Sequence, residues 1–297
     1  MRAPRPLPDR GTIGVFAPSS SFPADRFSAG VTLLESLGFT VRVPDSARAT
    51  HGYLAGDDQS RIAAIHALLD DPSVDALWAA RGGYGLHRIV DRIDPARIAR
   101  ASKPIIGFSD VCALHALAQA KAELVSYHGP VITQLGDLPP EQLTHALRLL
   151  AGGTAEYLAS GVAIAKGRAE GPIFGGCLSV ITPMIGSDLL PRFDGAILML
   201  EDVGEATYRI DRMLTHLHLA GVLGRVAGVA LGEFVGCMPR KDGEWTIEEV
   251  LADRLGALGV PVLSGLPFGH GRTNLAVPLG ARVVLDADQG RMTLLPS

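Results

Sequence analysis

The sequence predicts an α/β protein with two domains, of which the first has a largely parallel sheet and the second is smaller and rich in β-strands. In the first half of the 297 residues, short apolar runs alternate with amphipathic segments. This β-α-β-α order is typical of a doubly wound parallel sheet. In the second half the apolar runs are short, glycines separate them, and few helical segments stand between them.

The elements of the first half follow from the spacing of apolar residues. Short continuous apolar runs predict buried strands, and residues at helical spacing, such as Ile62, Ile65 and Leu69, predict one buried helix face. Gly38 follows the first helical segment, where glycine commonly ends a helix. In chain order we predict strands at 12–18, 39–43, 74–79 and 103–108, and helices at 25–37, 60–69, 86–93, 111–121 and 141–150.

The second half begins after a stretch of small residues. A fully apolar run then predicts a buried strand that ends in the carboxylates Glu201 and Asp202. The other predicted elements are strands at 225–231, 260–263, 282–286 and 291–295, and helices at 208–220 and 247–258. We expect an N-terminal domain at 1–150, a linker at 151–171 and a C-terminal domain at 172–297.

Composition excludes several classes of protein. With 47% hydrophobic and 20% charged residues, the chain can form two ordinary cores. A net charge of −4 provides no basic surface for nucleic acid, so we expect no nucleic-acid partner. The charged N-terminus is not followed by a long apolar stretch, and no segment has membrane length. We therefore expect no signal peptide, no membrane contact and a cytoplasmic location.

The spacing of cysteines and glycines indicates which cofactors the chain could bind. Cys112, Cys177 and Cys237 are few, odd in number and widely spaced, which favours reduced thiols over a disulfide framework or a zinc site. The Gly-x-Gly-x-x-Gly pattern of dinucleotide-binding proteins is missing from the turns after the predicted strands. We expect no metal and no nicotinamide or flavin cofactor.

Ser109 is the first candidate for a catalytic residue, because it stands between a predicted strand and a predicted helix. At such a corner a serine hydroxyl is exposed close to a helix N-terminus, a geometry that suits a nucleophile. Serine is also favoured just before a helix, so an ordinary N-cap is the alternative interpretation.

Glu201 and His270 supply the other side chains that a reactive serine requires. Glu201 follows an apolar strand, and His270 lies in the loop 265–271, which is rich in glycine and proline. A serine becomes nucleophilic when an imidazole takes its proton and a carboxylate orients that imidazole. Because Ser109 lies in one half and the other two residues in the second, we predict a site in the cleft between domains. A surface histidine and a solvated glutamate are the alternatives.

A glycine turn follows the strand at 74–79. The backbone N–H groups of Gly82 and Gly83 could bind a developing oxyanion together with the N–H of Asp110. A plain tight turn or a phosphate-binding loop would also use glycines here. His128, after a short apolar stretch, is a candidate for the wall of the site, with a structural histidine as the alternative.

Several segments in series resemble the LD-carboxypeptidases, a family of serine peptidases that includes microcin C immunity proteins. The resemblance extends from about Gly14 to the C-terminus. Its motifs are Arg81-Gly82-Gly83-Tyr84-Gly85, Gly107-Phe108-Ser109-Asp110, His128-Gly129-Pro130, Gly175-Gly176-Cys177-Leu178-Ser179, Leu200-Glu201-Asp202, Tyr208-Arg209-Ile210-Asp211-Arg212 and Pro267-Phe268-Gly269-His270.

The resemblance implies a Rossmann-like N-terminal domain, a C-terminal domain built around a β-barrel, and a homodimer. It also implies a Ser-Glu-His triad of Ser109, Glu201 and His270. The oxyanion donors would be Asp110 and a glycine of the turn at Gly82 and Gly83. The substrate-binding candidates are Arg81, Tyr84, His128 and Cys177, the last of which replaces an asparagine that is usual in the family.

Two substrate classes occur in this family. Its murein members release terminal D-alanine from cell-wall tetrapeptides, and its immunity members cleave an amide joining an aminoacyl group to a nucleotide. An exposed aromatic ring would help to hold adenine, yet the segment 177–191 contains no Trp, Tyr or Phe, and Trp78 lies in a predicted core strand. Trp245 alone has a loop-like position. We therefore expect murein peptides as substrates.

Two further interpretations stay open. An esterase of the α/β-hydrolase type has the same order of serine, acid and histidine, but usually carries glycine two positions after the serine, where this chain has Val111. A two-lobed protein that binds a small ligand without catalysis is the other possibility. Turnover of a bound ligand distinguishes an enzyme from such a binding protein.

Overall fold

Two β-sheets, one of six strands and one of eight, organise the chain in the computed structural model, which describes residues 1–153 and 159–296. Most neighbouring strands of the first sheet are parallel, and the second sheet is nearly closed into a barrel. The prediction of an α/β protein with a parallel sheet and a β-rich second half is therefore confirmed. Within the described ranges, no helix combines the length and apolar composition needed to cross a bilayer.

The elements alternate along the first half and become richer in strands in the second. The strands are β1 Thr12–Phe16, β2 Thr40–Arg42, β3 Ala76–Ala79, β4 Ile105–Gly107, β5 Ser126–His128, β6 Ala159–Ser160, β7 Val162–Ala165, β8 Arg168–Cys177, β9 Ile197–Val203, β10 Gly228–Val235, β11 Val262–Ser264, β12 Val277–Leu279, β13 Arg282–Asp286 and β14 Arg291–Leu294. The α-helices are α1 Ala24–Ser36, α2 Asp58–Asp70, α3 Pro95–Ala101, α4 Cys112–Ala122, α5 Pro140–Leu150, α6 Leu178–Ile181, α7 Thr207–Leu219 and α8 Ile247–Leu255.

The first sheet has the order β2-β1-β3-β4-β5-β12. Its first five strands are parallel, and helices cover both of its faces. Alternate residues of β3 point to opposite faces: Leu77 packs in the cluster that contains α2 and α4, and Trp78 in the cluster that contains α1 and α5. A sheet buried on both faces explains why its strands are continuous apolar runs in the sequence.

The sixth strand of this sheet comes from the far end of the chain. Strand β12 pairs antiparallel with β5, with Val277 opposite His128 and Leu279 opposite Ser126. The second half of the chain therefore completes the sheet of the first half.

The second sheet has the order β6-β14-β13-β8-β9-β10-β11-β7. Strands β8 to β11 are parallel to one another, and the outer strands are antiparallel. The two edge strands, β6 and β7, are separated in the chain by Gly161 alone, so the sheet nearly closes on itself. This arrangement agrees with the barrel that the family resemblance implied.

The predicted linker at 151–171 contains secondary structure where it is described. Strands β6 and β7 and the beginning of β8 lie in it, while residues 154–158 are outside the described residues. Strand β8 was missed because its glycines resemble a loop, yet a Cβ at Gly175 would overlap the backbone carbonyl of Met199 on β9. Glycine here lets two backbones approach closely. The domain limits themselves stay a prediction.

The segment 86–93 was predicted as one helix and is instead two 3₁₀ turns, Leu86–Arg88 and Val90–Arg92. The N–H of Leu86 donates to the buried carboxylate of Asp110 at 2.7 Å. This contact with a distant residue fixes the start of the segment and overrides its local helical pattern.

A buried lysine closes one end of helix α2. Lys103 is 2% exposed, and its ammonium donates to the carbonyl oxygens of Leu68, Leu69 and Asp71 at 2.8, 2.9 and 2.7 Å. A cation at a helix C-terminus satisfies carbonyls that the helix itself leaves free and interacts favourably with its dipole.

We expect Lys103→Met to lower the free energy of unfolding by about 2 to 3 kcal/mol, because the buried carbonyls lose their donor. Chemical denaturation measures this change. Lys121→Met, which removes only a surface pair with Asp188, serves as the control and should cost about 0.5 kcal/mol or less. Equal losses in the two variants would contradict the role of Lys103.

Candidate active site

Ser109 lies where β4 turns sharply into α4. The strand ends at Gly107, and Ser109 begins a 3₁₀ turn that continues into the helix. Its φ of +61° lies in the left-handed region, which is strained for a residue other than glycine. Such a turn presents a half-buried serine at the carboxyl end of a parallel strand, as the sequence predicted.

The glycine turn after β3 lies directly against this serine. A Cβ at Gly82 would be 2.7 Å from the Cβ of Ser109 and 3.0 Å from its Oγ, so only glycine fits. The turn is therefore in a position where its N–H groups could face a group that reacts with Ser109. The N–H groups of Gly82, Gly83 and Asp110 stay the predicted oxyanion donors.

Arg81 and Tyr84 flank this turn, and both side chains are exposed. The Arg81 guanidinium donates to the carbonyl of Ser21 at 2.5 Å, and the Tyr84 ring lies 5.7 Å from that of Tyr53. Both residues are accessible to a ligand beside Ser109. Their role in substrate binding stays a prediction.

Glu201 and His270 form a buried pair. The distance between His270 Nδ1 and Glu201 Oε2 is 2.7 Å, which is a strong hydrogen bond. Glu201 is fully buried at the end of β9, and the His270 side chain, in the loop between β11 and β12, is 16% exposed. The structure thus brings together two residues that are 69 positions apart.

The surroundings of Glu201 keep its carboxylate charged. Burial by itself raises the pKa, but the imidazoles of His128 and His270 outweigh it and lower the pKa of Glu201 to about 2. An ionised Glu201 accepts the Nδ1 proton of His270. This tautomer leaves Nε2 free to receive a proton from another group.

The His270 loop lies against the turn that carries Ser109. The ring centroids of Phe108 and His270 are 4.7 Å apart, and Phe108 immediately precedes Ser109 in the chain. The end of β4, the turn after β3 and the Glu201–His270 pair therefore meet in one region.

His128 lies behind Glu201, away from solvent. Its side chain is fully buried, and its Nε2 is 3.7 Å from Glu201 Oε1, too far for a hydrogen bond. The rings of Phe108 and Phe268 face it edge-on. The buried His128 thus gives Glu201 a second imidazole neighbour, and its candidate place in the wall of the site stays a prediction.

Cys177 is also buried and lies opposite Glu201 in the pairing of β8 with β9. Its N–H donates to Cys112 Sγ at 3.3 Å, and its own Sγ lies 3.3 Å from Ser179 Oγ. Burial raises the pKa of both thiols. Cys177 is thus a buried neighbour of Glu201, and its candidate role in substrate binding stays a prediction.

Asp202, next to the pair, has a different environment from Glu201. It accepts hydrogen bonds from the N–H and hydroxyl of Ser179, at 2.8 and 3.1 Å, and from the N–H of Val203 at 2.8 Å. Burial nevertheless dominates and raises the pKa of Asp202 to about 6.

Two contacts around Ser109 could not be found by sequence analysis. The Asp110 carboxylate accepts hydrogen bonds from Ser19 Oγ at 2.6 Å and Leu86 N at 2.7 Å. The sequence had indicated a role only for the backbone N–H of Asp110. The signal for Ser19 was its position after β1, at the same sheet edge as Ser109.

A cavity of about 620 Å³ lies beyond the His270 loop, between β7, β10 and α8. It is mostly apolar, with Ile164, Phe234 and Leu251 in its walls, and it does not include Ser109, Glu201 or His270. Among residues 1–153 and 159–296, no group of three or more His, Cys, Asp or Glu side chains could hold a metal ion.

These observations describe a two-domain α/β protein in which a glutamate–histidine pair lies near a serine at a sharp strand-to-helix turn. The chain belongs to the LD-carboxypeptidase family, because the model of the family's N-terminal domain matches residues 13–129 and that of its C-terminal domain residues 170–285. A putative carboxypeptidase of Synechocystis is 40% identical over 98% of this chain and 97% of its own length. The family resemblance noted in the sequence is therefore confirmed.

Relatives with named substrates fall into two groups. The murein tetrapeptide carboxypeptidase of Pseudomonas aeruginosa is 35% identical, with 96% of each chain covered. The microcin C7 self-immunity protein of Escherichia coli is 28% identical over 97% of this chain and 94% of its own. In structure, the muramoyltetrapeptide carboxypeptidase of Oxalobacter formigenes matches with a TM-score of 0.84 at 28% identity, covering 95% of this chain and 97% of its own.

The raised pKa of Asp202 predicts how stability depends on pH. Between the ordinary value of 3.8 and about 6, the folded protein holds the Asp202 proton more tightly than the unfolded chain does. The free energy of unfolding therefore falls as pH rises through this window, by up to about 3 kcal/mol.

An asparagine at position 202 cannot titrate. The free energy of unfolding of Asp202→Asn should therefore lack this pH-dependent contribution. We expect the unfolding free energy of wild type to fall relative to that of the variant between pH 4 and pH 7, in paired denaturation curves. Asp194→Asn, at a carboxylate that is 58% exposed, is the control. A difference between wild type and Asp202→Asn that is constant with pH would contradict the prediction.

Proposed function

We propose that this protein is a serine carboxypeptidase that releases terminal D-alanine from murein tetrapeptides by cleaving an L–D peptide bond. The observation that carries the proposal is the buried Glu201–His270 pair against the Ser109 turn, in a chain 35% identical to a murein tetrapeptide carboxypeptidase. As the family resemblance implies, we further propose a homodimer that acts in the cytoplasm during cell-wall recycling.

In the proposed reaction, Ser109 Oγ attacks the carbonyl carbon of the scissile bond while His270 Nε2 takes the serine proton. The N–H groups of Asp110 and of the turn at Gly82 and Gly83 stabilise the negative oxygen of the tetrahedral intermediate. The intermediate collapses, His270 gives its proton to the leaving amine, and D-alanine departs. Water, activated by His270, then hydrolyses the acyl-enzyme and regenerates Ser109.

Arg81 and Tyr84 are the proposed contacts for the peptide, because both are exposed beside Ser109. A guanidinium can bind a carboxylate with two hydrogen bonds, and a murein tetrapeptide ends in a carboxylate. His128 and Cys177 would act from behind, on the orientation of Glu201.

An immunity-type amidase is the second candidate, supported by the relative from Escherichia coli. A nucleotide substrate would favour an exposed ring near the serine. Trp78 is fully buried and donates to the Pro130 carbonyl at 2.8 Å, and 177–191 contains no Trp, Tyr or Phe. Trp245 is half-exposed, on the loop before α8. Tyr84 is nevertheless an exposed ring beside Ser109, so the preference for a peptide rests on the higher identity to the murein enzyme, 35% against 28%.

We expect the purified protein to release D-alanine from a murein tetrapeptide and not to act on the matched peptide with terminal L-alanine. Ser109→Ala should lower the rate by about a millionfold, because it removes the nucleophile. Amino-acid analysis measures the product, and circular dichroism checks that the variant is folded. Activity within about tenfold of wild type in Ser109→Ala would exclude a serine mechanism.

Parallel assays with an aminoacyl-nucleotide amide and a simple carboxylic ester test the other candidates. Preference for the amide would favour the immunity-type reaction, and preference for the ester would favour an esterase. Binding of the tetrapeptide without turnover by wild type would favour the non-catalytic, two-lobed interpretation.

The pH profile tests the roles of His270 and Glu201. We expect kcat/KM to rise with pH across the neutral range, because the imidazole accepts a proton only when it is neutral. Glu201, with a pKa of about 2, contributes no ionisation in this range. Glu201→Gln should cost about a thousandfold or more. A wild-type profile retained in His270→Ala would rule out His270 as the base.

A further inference from the structure

Two loops meet beside Ser109, one after β1 and one after β3. The N–H of Ser20 donates to the carbonyl of Gly82 at 3.3 Å, and the N–H of Tyr84 donates to Ser20 Oγ at 3.1 Å. We call them the serine loop, 18–21, and the glycine loop, 82–86. The glycine loop carries two of the three proposed oxyanion donors, the N–H groups of Gly82 and Gly83, so its exact placement matters for the reaction.

Arg61, on helix α2, binds both loops at once. Its side chain is 1% exposed. Nη1 donates to the carbonyl of Pro18 and, at 3.0 Å, to the carbonyl of Gly85, while Nη2 donates to Asp58 Oδ1 at 2.6 Å. A Cβ at Gly85 would lie 2.8 Å from Nη1, so glycine gives the guanidinium access to this backbone.

Asp110 also binds both loops, through other groups. Its Oδ2 accepts the hydroxyl proton of Ser19 at 2.6 Å and the N–H of Leu86 at 2.7 Å. Arg61 therefore uses one carbonyl of each loop, and Asp110 uses one donor of each loop. A buried guanidinium and a buried carboxyl group thus each contact both loops.

Stability alone is a weak explanation for a buried guanidinium. Removing an arginine from water is costly, and well-packed apolar residues often stabilise a core equally well. The planar group instead offers several N–H donors in fixed directions, which lysine cannot reproduce. A fixed geometry matters most where backbone N–H groups must already point at a developing charge.

We propose that Arg61 is a positioning residue that fixes the glycine loop against Ser109 and so orients the oxyanion donors. The proposal rests on the serine-peptidase function above and deepens it. Loss of Arg61 should lower the rate of the chemical step and leave substrate affinity nearly unchanged, because donors to the oxyanion act mainly in the transition state.

The test uses the full chain and the variants Arg61→Met and Arg61→Lys. Arg92→Met is the matched control, because the Arg92 guanidinium, 45% exposed, pairs with the same Asp58 from the solvent side. Each protein is assayed for kcat and KM with the tetrapeptide and for its melting temperature.

A second readout is independent of the natural substrate: the rate at which a fluorophosphonate labels Ser109. In this step Ser109 Oγ bonds to phosphorus, the P–F bond breaks, fluoride leaves and the serine proton passes to His270. The phosphoryl oxygen takes the place of the oxyanion, so the labelling rate reports the same donors.

We expect Arg61→Met to lower kcat and the labelling rate together by about 30- to 100-fold, with KM changed by less than about threefold. Arg61→Lys should fall between this variant and wild type, and Arg92→Met should stay within about twofold of wild type. If Arg61→Met does not fold, the kcat and labelling rate of Arg61→Lys decide whether Arg61 is a positioning residue.

The proposal is overturned if a folded Arg61 variant keeps kcat and labelling within about threefold of wild type, or loses activity through KM alone. The proposed substrate can fail separately. If wild type releases no D-alanine yet is labelled at Ser109, the substrate is wrong, and the labelling rates still decide the role of Arg61. If wild type is not labelled at Ser109, the serine mechanism and the role of Arg61 both fall.

Discussion

The contact between the Glu201 carboxylate and the His270 imidazole is the interaction on which the site depends. A fully buried carboxylate is costly unless partners compensate its charge, and His270 meets this requirement at 2.7 Å. Glu201 belongs to the barrel, whereas His270 precedes β12, the strand that completes the first sheet. One buried hydrogen bond thus fixes a loop between the two sheets, next to the turn that carries Ser109.

Glu201 and Asp202 illustrate how a strand separates two neighbouring carboxylates. Successive side chains of β9 point to opposite faces. Glu201 meets two imidazoles and has a pKa of about 2, while Asp202 meets the Ser179 turn and has a pKa of about 6. A carboxylic acid at the next position of the strand therefore titrates in a different, higher pH range. The two carboxyl groups are chemically alike. Their environments differ because the strand directs successive side chains to opposite faces.

The sequence allowed much of the first sheet to be predicted, because β1, β3 and β4 are buried on both faces and are therefore continuous apolar runs. Strand β8 was hidden by glycines that serve close backbone contact, and β12 by its three-residue length. Ser109, Glu201 and His270 could be selected as reactive residue types after strands or in a tight loop. Arg61 could not be selected in this way, because its partners Pro18 and Gly85 are 43 and 24 positions away in the chain. Only folding brings them together.

The pairing of β5 with β12 has a consequence for how the chain folds during synthesis. Nearly 150 residues separate the two strands. While the ribosome is still making the barrel, the edge of β5 has no neighbour on that side, and an open strand edge invites pairing with other chains. His128 lies on this edge, opposite Val277. The first sheet and the surroundings of Glu201 are therefore complete only once β12 has been made, so a chain that stops before β12 lacks an assembled site.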